Sequence, residues 1–143
     1  MTATQATRLE GLTAKRLGTV LWVNAGFSTL SALAFFFLAD PLADWLGLDR
    51  SVLVVLAAAV GGFAVYVAIV ATRDPVPAAH VAIVATADLL WVVAAAAIVV
   101  IPETLPVAGK VALAAVSLVV LDLGILEMMG YRRLSLSPTG SSA

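Results

Sequence analysis

The sequence predicts an all-α fold, a four-helix transmembrane bundle with short loops and both termini in the cytoplasm. Three observations carry that expectation. The 143 residues are 62% hydrophobic and 12% charged, with a mean hydropathy of +1.09, whereas soluble domains are about half apolar and a quarter charged. The apolar residues gather in four runs, 17–39, 52–72, 78–101 and 107–129. Each is close to the ~20 residues a helix needs to cross about 30 Å of hydrocarbon. Lysine and arginine, finally, fall unevenly around those runs.

Taken in order, residues 1–16 form a polar N-terminal segment containing Thr2, Gln5, Arg8, Lys15 and Arg16. The run from 17 to 39 contains a small-x-small pattern at Ala32-Leu33-Ala34, but Phe35-Phe36-Phe37-Leu38 continues it. It is longer than a secretory h-region and is expected to stay in the mature protein as a helix. Asp40-Pro41 ends it. The segment "DPLADWLGLDR" that follows mixes acids with Leu42, Trp45, Leu46 and Leu48. It is expected to lie at the membrane interface with Trp45 as an anchor. Arg73-Asp74-Pro75-Val76-Pro77 ends the second run and Pro102-Glu103-Thr104-Leu105-Pro106 the third, because proline neither continues a helix nor leaves its predecessor helical. The fourth run gives way to Arg132-Arg133 and a tail, 134–143, whose Ser, Pro, Thr and Gly content predicts flexibility. The membrane domain thus spans 17–133.

Orientation follows from the cations. In a four-pass arrangement Arg8, Lys15, Arg16, Arg73, Arg132 and Arg133 share one side, and only Arg50 and Lys110 lie on the other. The cytoplasmic side of a membrane protein carries the excess, so both termini are expected inside a bacterial cytoplasmic (inner) membrane. Arg16, Arg73, Arg132 and Arg133 then read as interface anchors.

Several chemistries are excluded or disfavoured. A net charge of −1 offers no basic field for nucleic acid. With no cysteine there is no disulfide, iron–sulfur cluster or thiol nucleophile. A single histidine, His80, cannot build a two-histidine haem or a multi-imidazole metal site. No Ser/His/acid set, phosphate loop or dinucleotide motif appears, so no enzyme, cofactor or metal is expected.

The polar groups inside the apolar runs are the informative ones. At 1.5 Å per residue, Asn24 lies about 10 Å from the cytoplasmic end of its helix, Tyr66 at similar depth, Asp88 about 15 Å deep, and Asp122 about 10 Å. Glu127 comes close to the inner boundary. Asn24, Ser28 and Ser31 share one stripe; Ala59, Gly62, Tyr66 and Arg73 share another; Asp88 and Trp91 are three apart. A charge at the bilayer centre costs about 2.5–3.5 kcal/mol on insertion scales, and no cation occurs at the depth of Asp88. Asp88 is therefore expected to point into the bundle, to be protonated much of the time, and to find partners among Asn24, Ser28, Tyr66 and Thr86. Trp91 and Asp122 complete the candidate polar site. Glu127 is rotated well away from Asp122, so it need not join the cluster.

Asn24 lies sixteen residues before Asp40, and Asp88 fifteen before Glu103. Each pair is followed by an apolar run ending in arginine, a pattern that suggests two parallel hairpins related by an axis along the membrane normal, with Asn24 and Asp88 facing one another. The segments Asn24-Ala25-Gly26-Phe27-Ser28 and Ala87-Asp88-Leu89-Leu90-Trp91 resemble motifs of small uncharacterised four-helix bacterial membrane proteins, over about residues 15–133. That resemblance implies a four-pass inner-membrane protein and brings no activity. DoxX-type proteins are similar only in size and helix count. The small multidrug exporters carry a membrane glutamate in their first helix, where this chain has Asn24.

Two functions fit these features. The first is an interaction or accessory protein that packs through its helices in a homo-oligomer or a larger membrane complex, with membrane lipids around it and its polar groups as glue. The alternative is a small proton-linked transporter or ligand-binding protein with a polar pocket around Asp88 in the inner half of the membrane.

Overall fold

The computed structural model describes residues 3–101 and 105–136, with side chains from 15–101 and 105–133. These residues form five α-helices and no strand: α1 (Ala3–Phe37), α2 (Ala39–Leu46), α3 (Arg50–Ala71), α4 (Ala78–Val100) and α5 (Val107–Leu136). Four of them contain a stretch long and apolar enough to cross a membrane: Lys15–Phe37, Arg50–Ala71, Ala78–Val100 and Val107–Arg133.

The expectation of four helices is corrected by α2. Asp40-Pro41 ends no helix here; it opens one. α1 stops at Phe37, Leu38 leaves helical geometry at φ −109°, and α2 begins at Ala39. Pro41 sits in the first turn of α2, where its missing N–H has no intrahelical partner to lose. The Leu42 N–H closes that turn on the Leu38 carbonyl at 3.0 Å. Gly47 ends α2 at φ +67°. A Cβ there would come 2.8 Å from Pro106 Cδ as well as enter the left-handed region, so glycine is required on both counts.

The outer helices also run longer than expected. α1 already begins at Ala3, inside the segment expected to be a separate polar leader, and α5 continues through 134–136. The rest of the expected tail lies outside the described residues.

α1 packs along α3, and α4 along α5, giving two antiparallel hairpins. α1 and α5 join the hairpins, while α3 and α4 meet only sparsely. Small residues set the close approaches. A Cβ on Gly130 would stand 2.6 Å from Leu17 Cδ1, and one on Gly124 would stand 3.4 Å from the Asp88 Cβ. α2 lies over one end of the bundle, with the Leu46 carbonyl 2.9 Å from the position a Cβ on Gly109 would take.

Each helix turns one stripe inward. On α1 it is Leu17, Leu21, Asn24, Ala25, Ser28 and Ala32; on α4, Val81, Val84, Ala85, Asp88 and Ala95. At the end that carries the chain termini, Leu17, Leu21, Val67, Val70, Val81 and Val84 form a tight apolar plug. Large apolar side chains such as Trp22, Leu30, Val55, Val65, Leu90, Val93 and Leu118 point outward, as lipid-facing positions of a membrane bundle do.

Candidate functional site

Three helices bring polar groups to one point just above the plug. Asn24 on α1 donates through Nδ2 to Asp88 Oδ2 on α4 at 2.6 Å and to Glu127 Oε1 on α5 at 2.8 Å. An asparagine amide nitrogen has two hydrogens, and each carboxyl takes one. On its other side, Asn24 Oδ1 accepts from Ser28 Oγ at 3.2 Å, one turn along α1. Asn24, Ser28, Asp88 and Glu127 are all buried, Glu127 completely. The two carboxyls lie within electrostatic reach of each other. Among the described residues, the groups that bond or charge-couple to them are Asn24 and each other, with no lysine, arginine or histidine. Glu127 Oε2 has no hydrogen-bond partner.

The facing of Asn24 and Asp88 places the two hairpins' central polar residues in direct contact, as the spacing of the sequence suggests. Glu127, not counted in the candidate site, is the third member. Asp122, expected in the site, is exposed on the opposite face of α5. Five residues turn a helix by about 500°, so the two acids cannot share a face, and the packing selects Glu127. The signal was present in the sequence. Gly124, Glu127 and Gly130 lie three apart, and small residues on one stripe mark the side where helices approach most closely.

Tyr66 also stands apart from this cluster. Its hydroxyl pairs with His80 Nδ1 at 2.8 Å near the terminal end. Thr86 is exposed. Ser31, on the expected α1 stripe, bonds back to the Phe27 carbonyl at 2.9 Å, the usual fate of a hydroxyl within a helix.

On the side of the cluster away from the plug lies a cavity of about 190 Å³. Its walls come from all four long helices. Phe27, Phe35 and Phe63 line it with Leu56, Val60, Val116 and Val120; the polar contributions are Ser28, Ser31, Asp88 and Trp91. Trp91 Nε1 is buried there without an acceptor. The sequence places the polar pocket in the half nearer the termini. The structure puts the cavity toward the α2 end, because Leu17, Leu21, Val81 and Val84 fill the other half.

The expected anchors are at the surface. Arg16, Arg73, Arg132 and Arg133 are exposed at the terminal end, and Trp45 is exposed on α2. Arg16 and Arg133 flank a groove between α1 and α5 of about 180 Å³. At the α2 end, Arg50 Nε bonds Asp40 Oδ1 at 2.9 Å, and Lys110 Nζ caps the Ile101 carbonyl at 2.9 Å. Among the described residues no group of three or more histidine, aspartate or glutamate side chains is arranged to hold a metal. No family model, curated protein or solved structure matches the chain.

Proposed function

We propose that the chain is a multi-pass protein of a bacterial inner membrane, both termini cytoplasmic, and that it binds a small ligand beside Asp88 in exchange for a proton. The observation that carries this is the single amide of Asn24 shared between two buried carboxyls at 2.6 and 2.8 Å, beside a cavity and without a cation. Two like charges this close in a medium of low dielectric repel strongly. A buried anion without a positive partner is also costly. One proton held between Asp88 and Glu127 relieves the repulsion and leaves one buried negative charge instead of two, and a cationic ligand arriving at Asp88 competes with it. Ionisable groups facing the interior of a membrane bundle commonly mark such paths.

The test is infrared spectroscopy of purified protein titrated over about pH 5 to 9, a range in which an isolated carboxyl stays ionised. The expected result is a protonated-carboxyl C=O band that Asp88→Asn removes or shifts. A wild-type spectrum with no such band at any pH in that range rejects the proposal.

A second reading, an accessory protein that packs against a larger membrane complex, draws on a different feature. Asp122 is exposed on a helix face whose other exposed residues include Leu118, Ile125 and Met129. An acid inside an apolar span is costly against lipid, and a partner helix offering a donor removes that cost. Normal assembly of Asp122→Leu with its membrane partners counts against this reading.

A further inference from the structure

We infer that the cavity is a site for a small amphiphilic organic cation, an amine with an aromatic body. Its ammonium would take the Asp88 carboxyl, and its body would lie among Phe27, Phe35, Phe63 and Trp91. The inference rests on the proton-linked reading above and names the ligand class for the same site.

The chemistry of the walls selects the class. Among the described residues, the one ionisable side chain that lines the cavity is Asp88 and no basic residue does so, so an anionic ligand finds repulsion and nothing to pair with. An ammonium finds a carboxyl already oriented by Asn24. Phe27, Phe35, Phe63 and Trp91 are among the residues that line the cavity, and a desolvated cation within about 6 Å of an aromatic face is attracted to it. Leu56, Val60, Val116 and Val120 make the rest of the lining mostly apolar, a surface that disfavours ions with a full hydration shell. At about 190 Å³ the space lies below the roughly 300–1,000 Å³ that drug-sized ligands occupy, which limits the body to about one ring.

Binding also moves a proton. The groups facing Asp88 are Asn24 and Ser28 from α1 and Glu127 from α5; α3 presents Leu56, Ala59, Val60 and Phe63 to the cavity, none of them titratable. When the ammonium seats on Asp88 it keeps its own protons, and the proton shared by the carboxyls leaves to solvent. One proton is released for each cation bound, so affinity rises up to tenfold per pH unit while the pair holds its proton. Removing Glu127's charge should change that exchange, since Asp88 then titrates alone with no second acid to share the proton.

The experiment is calorimetric titration of the full chain in micelles with phenethylammonium, phenethyl alcohol and phenylacetate, in two buffers of different ionisation enthalpy. Phenethylammonium is expected to bind at least tenfold more tightly than the other two, with about one proton released. Asp88→Asn is expected to lose at least tenfold in that affinity. Glu127→Gln should alter the number of protons released per cation bound. The comparison among ligands uses the wild-type protein, so it stands even if a variant fails to fold. Equal binding of the alcohol, or binding of the carboxylate, overturns the cation assignment. Absence of all binding, with the infrared carboxyl band present, also overturns the ligand class and leaves the proton-linked reading in place. Absence of that band overturns both.

Discussion

Replacing Asn24 with leucine separates the polar cluster's energetics from its volume. The two side chains are similar in size, and the substitution strips both carboxyls of a donor at once. Hydrogen bonds between membrane helices average about 0.6 kcal/mol and reach about 1.7, so the two at 2.6 and 2.8 Å together contribute about 1–3 kcal/mol. Leaving buried carboxyl oxygens without partners adds about 1–3 kcal/mol more. The expected loss is about 3 kcal/mol, roughly a hundredfold in the unfolding equilibrium. It can be read by steric trapping or by denaturing-detergent titration in bicelles. Glu127→Gln keeps an acceptor at Oε1 and is expected to change stability by under about 1 kcal/mol. The double variant should recover part of the leucine penalty, with a coupling of at least about 1 kcal/mol. An Asn24→Leu protein within about 0.5 kcal/mol of wild type, the range of an inconsequential surface change, refutes the claim that this amide holds the two hairpins together.

Other outcomes follow from single features. Gly47→Ala forces a side chain into the left-handed region and against Pro106, so thermal unfolding should show a loss of about 1–3 kcal/mol; an unchanged midpoint contradicts that geometry. The chain has no cysteine, so single cysteines report topology without background. Ser51→Cys should react with an impermeant thiol reagent added to intact cells and Thr72→Cys only after lysis, the reverse pattern inverting the orientation. Tyr66→Phe removes the bond to His80 and is expected to cost under about 1 kcal/mol. It should leave cation binding unchanged, since Tyr66 does not line the cavity; a tenfold loss of affinity would place it there.

The apolar runs made the spans legible, because a bilayer imposes its thickness on any helix that crosses it. The similar spacing of Asn24 and Asp88 from the acids that follow their runs made their meeting legible too. The short α2 was not. Eight residues carry little periodicity, and a proline in a first turn looks the same in sequence as one that ends a helix. The choice between Asp122 and Glu127 turned on which face of α5 meets α1 and α4, and a helix with apolar residues on every side does not announce its buried face by hydropathy. Gly124 and Gly130 announce it by size instead. The cavity's position was hidden for a related reason: it depends on how Leu17, Leu21, Val67, Val70, Val81 and Val84 interlock across three helices, a property no single segment contains.

The apolar plug makes the molecule asymmetric along the membrane normal. A solute that reaches Asp88 from the α2 end meets stacked leucine and valine on its far side, so the route is a blind alley. The two hairpins are joined mainly through α1 and α5, and the α3–α4 side is the sparsely packed one.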